Sequence, residues 1–162
     1  GTTVDQPISL IDLLPTLCDM TGIEDYYPCD GNSIMNLIDG TETEDREIFV
    51  EAHEAVGAPC LMVRKNNYKY NYIHGYDPQL FDLRADPGEW NNLSGQSADA
   101  EIETYLRSRI LDTYDPDAIA EANLDSLYRR QCISQAMQTN GTSWTHDPGF
   151  DPTKNAQAQY LS

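Results

Sequence analysis

The chain has 162 residues, with 27 Asp and Glu against ten Lys and Arg, and a formal net charge of −17. An acidic surface of this kind lacks the cations that neutralise phosphate groups, which argues against nucleic acid and anionic membranes as partners. No run of residues approaches the roughly 18 apolar positions of a membrane-spanning helix, so we expect a globular chain with a sizeable buried core.

The first predicted element is a helix that begins near Ser9 and ends at Gly22. Ser9 and Asp12 fit a capping box, in which two side chains satisfy free backbone N–H groups at the helix start. Gly22 is a typical stop because glycine adopts the left-handed conformation at low cost. A proline inside a helix removes a hydrogen bond, so Pro15 predicts a kink. The predicted apolar face consists of Ile11, Leu14, Leu17 and Cys18.

The pattern is weaker between residues 30 and 46. Residues 30–34 indicate a turn, and a short apolar helix through Met35 and Ile38 should end at Gly40. Residues 41–46 are mostly charged and predict a surface loop. Neither piece presents a combination of side chains with an evident chemical role.

An antiparallel meander is predicted after residue 46. Four short segments alternate apolar and polar residues, or carry the β-branched and aromatic residues typical of strands. These segments are residues 47–53, 61–64, 68–73 and 79–83. Asn66 and Asn67 suit a tight hairpin between the second and third segments because asparagine tolerates a positive φ. The sequence Asp86-Pro87-Gly88 then ends the strand pattern.

Two further helices follow the meander. Residues 97–114 carry apolar residues at helical spacing. The next helix should begin after Asp115, with Pro116 at its first position, and should end near Asn140. We therefore predict an α+β fold, in which a four-stranded antiparallel sheet carries the 97–114 helix on one face. An N-terminal helix and a C-terminal helix with a tail flank this unit.

Individual residues with catalytic chemistry are few. His53 at a strand end and His74 in a loop are candidates, because histidine changes charge near neutral pH. A packing or surface role is the commoner alternative for both. The four cysteines show no CxxC spacing that would indicate a zinc site. Free thiols are the simpler interpretation, with a Cys18–Cys29 disulfide as the alternative.

One stretch carries a family resemblance. From Leu61 to Leu93 the chain contains an arginine-bearing strand, a turn, a YKY strand, then QLFDL, DP.E and NL. This order and spacing resembles the C-terminal region of type I sulfatases. The segment SLIDLLPTLCDMTGI, which begins at Ser9, is similar to the sulfatase segment that leads into the second domain, where a proline is usual.

The resemblance implies an alkaline-phosphatase-like enzyme, with a large α/β domain and a smaller antiparallel sheet. In that family a formylglycine made from cysteine attacks sulfur, and a calcium ion polarises the sulfate oxygens. Cys60 and Arg64 have the spacing of the formylglycine motif, but Met62 stands where Pro or Ala belongs, and Cys60 enters a strand. We therefore expect the nucleophile, the metal ligands and the calcium ion upstream, and none of them in this chain.

The resemblance also implies a division of the chain into three parts. Residues 1–46 would complete the upstream catalytic domain, which is the expected partner. Residues 47–114 would form the sheet-plus-helix subdomain, and residues 115–162 a helix with a C-terminal extension. Alone, the chain should hydrolyse nothing.

The C-terminal extension resembles one sulfatase branch, the choline sulfatases. Its segments YDPDAI, YRRQ, AMQTNG and W...P..D follow the pattern of that branch, with Trp144 and Asp151 in the last segment. Aromatic faces and carboxylates hold a quaternary ammonium such as choline. The resemblance therefore implies a small-molecule sulfate ester as substrate, Trp144 and Asp151 as substrate-binding residues, and a homo-oligomer joined through the tail. Anchoring of the tail by Trp144 is the structural alternative.

Three functional interpretations stay open at this point. The first is hydrolysis of choline-O-sulfate, and the second keeps the superfamily but has a sugar sulfate, an aryl sulfate or a phosphonate monoester as substrate. The third is a stand-alone α+β interaction domain that is not part of an enzyme. Residues 1–5 show neither the basic nor the apolar region of a signal peptide, and free thiols suit a reducing compartment, so we expect a cytoplasmic protein.

Overall fold

A computed structural model describes residues 3–24, 28–42, 45–52 and 58–142 of the chain. They form an α+β fold around a four-stranded antiparallel sheet, which confirms the predicted class. The strands are β1 (Glu47–Ala52), β2 (Cys60–Lys65), β3 (Tyr68–Ile73) and β4 (Gln79–Asp82). The helices are α1 (Leu13–Thr21), α2 (Met35–Ile38), α3 (Ala100–Thr113) and α4 (Pro116–Thr139).

The sheet is a simple meander with strand order β1-β2-β3-β4, in which every neighbouring pair is antiparallel. Each strand agrees with its predicted range to within one residue at either end. Asn66 has a φ of 52°, the left-handed conformation that the predicted hairpin requires. The turn therefore fixes the register between β2 and β3, with Lys65 opposite Tyr68 at its base.

One face of the sheet is buried beneath α3. Side chains alternate along a strand, so Leu61 and Val63 of β2 point to the same face as Tyr70 of β3. Leu106 and Ile110, one helical turn apart in α3, close this core from the other side. All five side chains are fully buried. The predicted packing of the 97–114 helix on the sheet is thus confirmed.

The N-terminal helix α1 has the opposite arrangement. Asp12 and Thr16 are 3% and 5% exposed, whereas Leu14 and Leu17 are each 58% exposed. Leu10, in the 3₁₀ turn that precedes α1, is 84% exposed. The predicted apolar face is formed, but the described residues leave it open to solvent.

The start of α1 explains how the helix accommodates Pro15. The backbone N–H of Ser9 donates to Oδ2 of Asp12 at 2.9 Å, as expected for the predicted capping box. Leu10–Asp12 then form a 3₁₀ turn, so that α1 begins only at Leu13. Pro15 lies in the first turn of α1, where N–H groups have no helical partner to lose. The helix therefore continues through Pro15 instead of being interrupted there.

Helix α4 extends away from the core. Its N-cap is Asp115, whose Oδ1 accepts the backbone N–H of Ala118 at 3.0 Å, as the sequence predicts. The helix has 24 residues, which corresponds to roughly 36 Å. Ile119 in its first turns packs against the core, whereas residues 128–136 are all exposed.

Candidate functional site

The YKY, DP.E and NL motifs are held together by their own side chains. Nζ of Lys69 lies 2.7 Å from Oε2 of Glu89. Oδ1 of Asn92 accepts the backbone N–H of Leu80 at 2.9 Å, and Nδ2 of Asn92 donates to the carbonyl of Pro78 at 3.2 Å. These contacts tie the loop after β4 to the sheet and satisfy backbone groups on its edge strand. The residues that carry the family resemblance therefore have a structural role, because they hold the loop after β4 against the sheet.

A second polar cluster joins β1, β2 and α3 around Glu47. Nζ of Lys65 lies 3.1 Å from Oε1 of Glu47, and Nε of Arg109 lies 2.8 Å from Oε2. The hydroxyl of Tyr105 donates to Oε1 of the same carboxylate. Lys65 also donates to the Tyr105 hydroxyl at 2.8 Å and lies 4.6 Å from the centre of its ring. One carboxylate thus accepts from three side chains on two other elements.

This cluster brings one carboxylate together with two cations. Burial alone would raise the pKa of Glu47, but the hydrogen bonds from Tyr105, Arg109 and Lys65 outweigh it and lower that pKa. The hydrogen bond to Tyr105 raises the pKa of Lys65, and the bond to Glu47 raises the pKa of Arg109. With its pKa lowered and three donors already bonded to it, the carboxylate is poorly suited to act as a base. The cluster therefore stabilises the packing of α3 on the sheet.

A third cluster connects α1 with the start of β1. Nη2 of Arg46 lies 3.3 Å from Oδ2 of Asp12, and the two side chains are 9% and 4% exposed. Asp12 also accepts the backbone N–H groups of Ser9 and Asn32 at 2.9 and 3.0 Å. The prediction of a surface loop at residues 41–46 is wrong for Arg46, because its guanidinium group is the buried counterion of Asp12.

The predicted substrate-binding residues belong to the C-terminal tail. Trp144 and Asp151 lie outside the described residues, and so does His53. Their assignment to a substrate site stays a prediction.

The other histidine candidate, His74, lies where the sheet meets α4. Its backbone N–H donates to the carbonyl of Pro59 at 3.0 Å. Its Nε2 lies 3.6 Å from Oδ1 of Asp117, in the first turn of α4. The ring of Tyr72 is its aromatic neighbour, with centroids 6.5 Å apart. These contacts fit the packing alternative and do not assemble a catalytic arrangement around His74.

The cysteines are separate from one another. Cys60 begins β2 and pairs with Ala52 and Ile73 across the sheet, as expected for a residue that enters a strand. Cys18 and Cys29 are not joined by a disulfide, and none of the four cysteines, all of which lie in the described residues, forms one.

Metal-ligand clusters and membrane-spanning helices are both absent from residues 3–24, 28–42, 45–52 and 58–142. No group of three or more His, Cys, Asp or Glu side chains in these ranges is arranged to hold a metal ion. No helix in the same ranges is both long and apolar enough to cross a membrane.

Known proteins resemble this chain in sequence. Residues 1–115 match the family model described as N-sulphoglucosamine sulphohydrolase, C-terminal. The choline-sulfatase of Rhizobium meliloti (strain 1021) is 34% identical over 150 residues, which cover 88% of this chain and 29% of that protein. The Delta 4,5-hexuronate-2-O-sulfatase of Bacteroides thetaiotaomicron is 34% identical over 110 residues, covering 64% and 23% respectively. The chain spans less than a third of the length of these relatives.

The fold has counterparts among solved structures as well. The structure of a 2-O GAG sulfatase matches with a TM-score of 0.54 and 31% sequence identity. The match covers 71% of this chain and 26% of that one. Sequence and structure comparisons therefore agree on the same class of protein.

Proposed function

The chain belongs to the sulfatase family described by the N-sulphoglucosamine sulphohydrolase C-terminal model, and on that premise we propose that it completes a sulfuric ester hydrolase acting on choline-O-sulfate. The main support for this substrate is the length of the region that this chain shares with a choline-sulfatase. The family model ends at residue 115, whereas the similarity to a choline-sulfatase covers 88% of the chain and so must extend into α4. Helix α4 and the residues after it are the part of the chain in which a substrate-specific branch would differ from the general family.

In this proposal the reacting groups belong to the part of the protein that precedes residue 1. The chain covers 29% of the choline-sulfatase relative and matches a C-terminal domain, so most of such an enzyme lies before it. The described residues offer no cluster suited to a metal ion, and we place the calcium ion and the formylglycine in the preceding part. When bound there, calcium would polarise the sulfate oxygens.

The exposed face of α1 supports a direct contact with that preceding part. Leu10, Leu14, Leu17 and Met20 are 58–84% exposed, although α1 is anchored on its other side through Asp12. Burying a leucine side chain contributes about 1.5–3 kcal/mol. Such a face therefore gains stability from a covering surface. We propose that residues 1–46 complete the catalytic domain by packing on it in this way.

The C-terminal extension supplies the proposed substrate specificity. Choline has no hydrogen-bond donor on its ammonium group, so a site holds it through aromatic faces and carboxylates. Trp144 and Asp151 provide one group of each kind. In this proposal Asp151 faces the cation at the mouth of the active site, either of the same subunit or of a partner in a homo-oligomer. Exposed apolar residues on α4, such as Leu124 and Tyr128, favour a subunit contact along this helix.

Steady-state kinetics of the protein that includes the preceding part test this proposal. Asp151→Asn should raise KM for choline-O-sulfate far more than KM for a neutral sulfate ester, because only the first substrate carries the cation. Equal losses on both substrates would overturn the cation-binding role and leave the tail as an assembly element. Asp77→Asn, an exposed change between β3 and β4, is the matched control and should alter neither KM.

Assays of the unsubstituted proteins separate the remaining interpretations. The 162 residues alone should turn over no sulfate ester, since the nucleophile is proposed to precede them. Turnover of a sugar sulfate, an aryl sulfate or a phosphonate monoester in preference to choline-O-sulfate would contradict the substrate but keep the superfamily. Absence of any such activity from the longer protein would favour the interaction-domain interpretation. Recovery of the enzyme from the cytoplasmic fraction would agree with the proposed location.

A further inference from the structure

The sheet face opposite α3 has an unusual composition for a surface. Antiparallel sheets commonly carry polar residues on a solvated face. Alternation along the strands brings the polar Asn71 and Gln79 to this face, but also seven apolar residues: Ile48, Val50, Ala52, Cys60, Met62, Ile73 and Phe81. Val50 lies opposite Met62, and Cys60 lies opposite Ile73. Phe81 is buried at 6% exposure, Val50 is 45% exposed, and Ile48, Cys60, Met62 and Ile73 are half-buried. Helix α3, the described helix with extensive sheet contacts, lies on the other side.

Two cations lie side by side within this apolar face. Arg64 of β2 is directly opposite Lys69 of β3, and like charges at such positions destabilise a sheet. Lys69 is neutralised by Glu89 at 2.7 Å. Within the described part of the chain, Arg64 has no carboxylate partner, and its Nε lies 3.4 Å from the carbonyl of Asn66. Such a pairing stands out in a chain with 27 acidic and only ten basic residues.

We infer that this second sheet face is an interface with the preceding part of the protein, and that Arg64 pairs there with a carboxylate. The inference rests on the proposed function, which places most of the enzyme before residue 1. A guanidinium group forms bidentate hydrogen bonds with a carboxylate, so a facing Asp or Glu would satisfy Arg64. It would also relieve the repulsion from Lys69. The apolar residues around Arg64 would exclude water from this ion pair.

Native cysteines allow the interface to be tested without new labels. Cys60 lies on the second face, whereas Cys132 lies on the exposed part of α4. Maleimide modification of each thiol, followed by peptide mass spectrometry, would compare the longer protein with the 162-residue chain. Cys60 should react at least about tenfold more slowly in the longer protein, because modification then requires opening of the interface. Cys132 reports separately on the proposed subunit contact along α4, and equal rates for Cys60 in both proteins would overturn the inference.

Thermal unfolding of Arg64→Gln tests the ion pair. In the longer protein this variant should lower the melting temperature by several degrees, because it leaves a buried carboxylate unpaired. In the 162-residue chain it should be neutral or slightly stabilising, because it removes the repulsion from Lys69. Arg84→Gln removes the same charge at an exposed position and should be neutral in both proteins.

The outcomes separate this inference from the proposed function. Equal destabilisation of both proteins by Arg64→Gln would show that Arg64 acts within the chain, and no effect on the longer protein would show that it has no partner there. Either result overturns the ion pair. Hydrolysis assays on the same samples report on the substrate independently, so an enzyme with another substrate would contradict the proposed function while the interface result stands.

Discussion

The sheet–α3 unit buries its apolar side chains, whereas the α1 region exposes them. Leu106 and Ile110 of α3 are fully buried against the sheet, whereas Leu14 and Leu17 of α1 are each 58% exposed. The α1 region buries the polar Asp12 and Thr16 beside Pro15, with Asp12 at the centre of the polar contacts. The first unit therefore has its own hydrophobic core. The second has an apolar surface that the described residues leave exposed.

The difference extends to the forces that hold each region. Helix α1 has nine residues, too few to be stable alone in water. Its attachment relies on the bonds from Asp12 to Arg46, Ser9 and Asn32. Breaking a buried ion pair by removing one partner is costly, so this polar anchor orients the apolar face without burying it. Such an arrangement suits a segment that joins two parts of a larger protein.

The largest effect that distinguishes the two regions should come from paired leucine truncations. In the 162-residue chain, Leu106→Ala should lower the free energy of unfolding by about 2–5 kcal/mol, because it leaves a cavity in the core. Leu17→Ala should lower it by less than about 0.5 kcal/mol, as expected for an exposed position. Urea denaturation followed by circular dichroism measures both.

The comparison fails if Leu17→Ala is as destabilising as Leu106→Ala in this chain, since α1 would then already be covered. In the protein with its preceding part, the cost of Leu17→Ala should rise well above its value in the isolated chain. A cost that stays unchanged there would contradict the proposed packing of α1.

A smaller effect is expected from the polar cluster that fastens α3 to the sheet. Glu47→Gln should lower the free energy of unfolding at pH 7 by about 1–3 kcal/mol, because hydrogen bonds to a charged group are lost. The pKa of Glu47 is lowered below its ordinary value of 4.5 in the folded chain. Its stabilisation is therefore fully present above pH 4.5 and is lost as the pH falls through the folded pKa.

Denaturation curves between pH 7 and pH 3 measure this linkage. The Glu47→Gln variant should lose less stability than the unsubstituted chain as the pH is lowered. Glu121→Gln, an exposed change on α4, should keep the original pH dependence. Parallel pH profiles for Glu47→Gln and the unsubstituted chain would show that the carboxylate contributes nothing through its charge.

The strands and helices could be predicted from the sequence because each depends on residues that are close together in the chain. The strands follow from alternation, the hairpin from Asn66, and the start of α4 from Asp115 and Pro116. Local periodicity also gave the correct apolar face of α1. It could not reveal that this face is exposed, because a pattern groups residues on one side of a helix without saying what covers that side.

The polar clusters were missed for a different reason. Arg46 is the counterion of Asp12, 34 residues earlier, and nothing in a charged run indicates which member will be buried. Glu47 was more accessible to prediction. Glu47 is two residues from Phe49, so the period of a strand places its side chain on the same face as Phe49. In the structure this is the α3 face, and Lys65 lies opposite Glu47 there. Trp144 and Asp151 stay predictions, since they lie outside the described residues.

The smallest expected effect concerns a polar group inside the hydrophobic core. Tyr70 is fully buried, and within the described residues its hydroxyl has no hydrogen-bond partner. Burial raises the pKa of Tyr70, so the group is neutral at physiological pH. Tyr70→Phe keeps the ring and removes only the unsatisfied hydroxyl, whose burial costs about 1–3 kcal/mol. The variant should therefore unfold at the same urea concentration as the original chain or at a higher one.

Tyr105→Phe provides the matched comparison, because it removes a hydroxyl that donates to Glu47. That variant should lower the free energy of unfolding by about 1 kcal/mol or more, since it takes one donor from a charged acceptor. The two substitutions change the same atom on neighbouring elements and should act in opposite directions. If Tyr70→Phe is instead as destabilising as Tyr105→Phe, the Tyr70 hydroxyl must be bonded to a buried water molecule. The core of the sheet–α3 unit would then contain a polar anchor like that of the α1 region, and the contrast between the two regions would narrow.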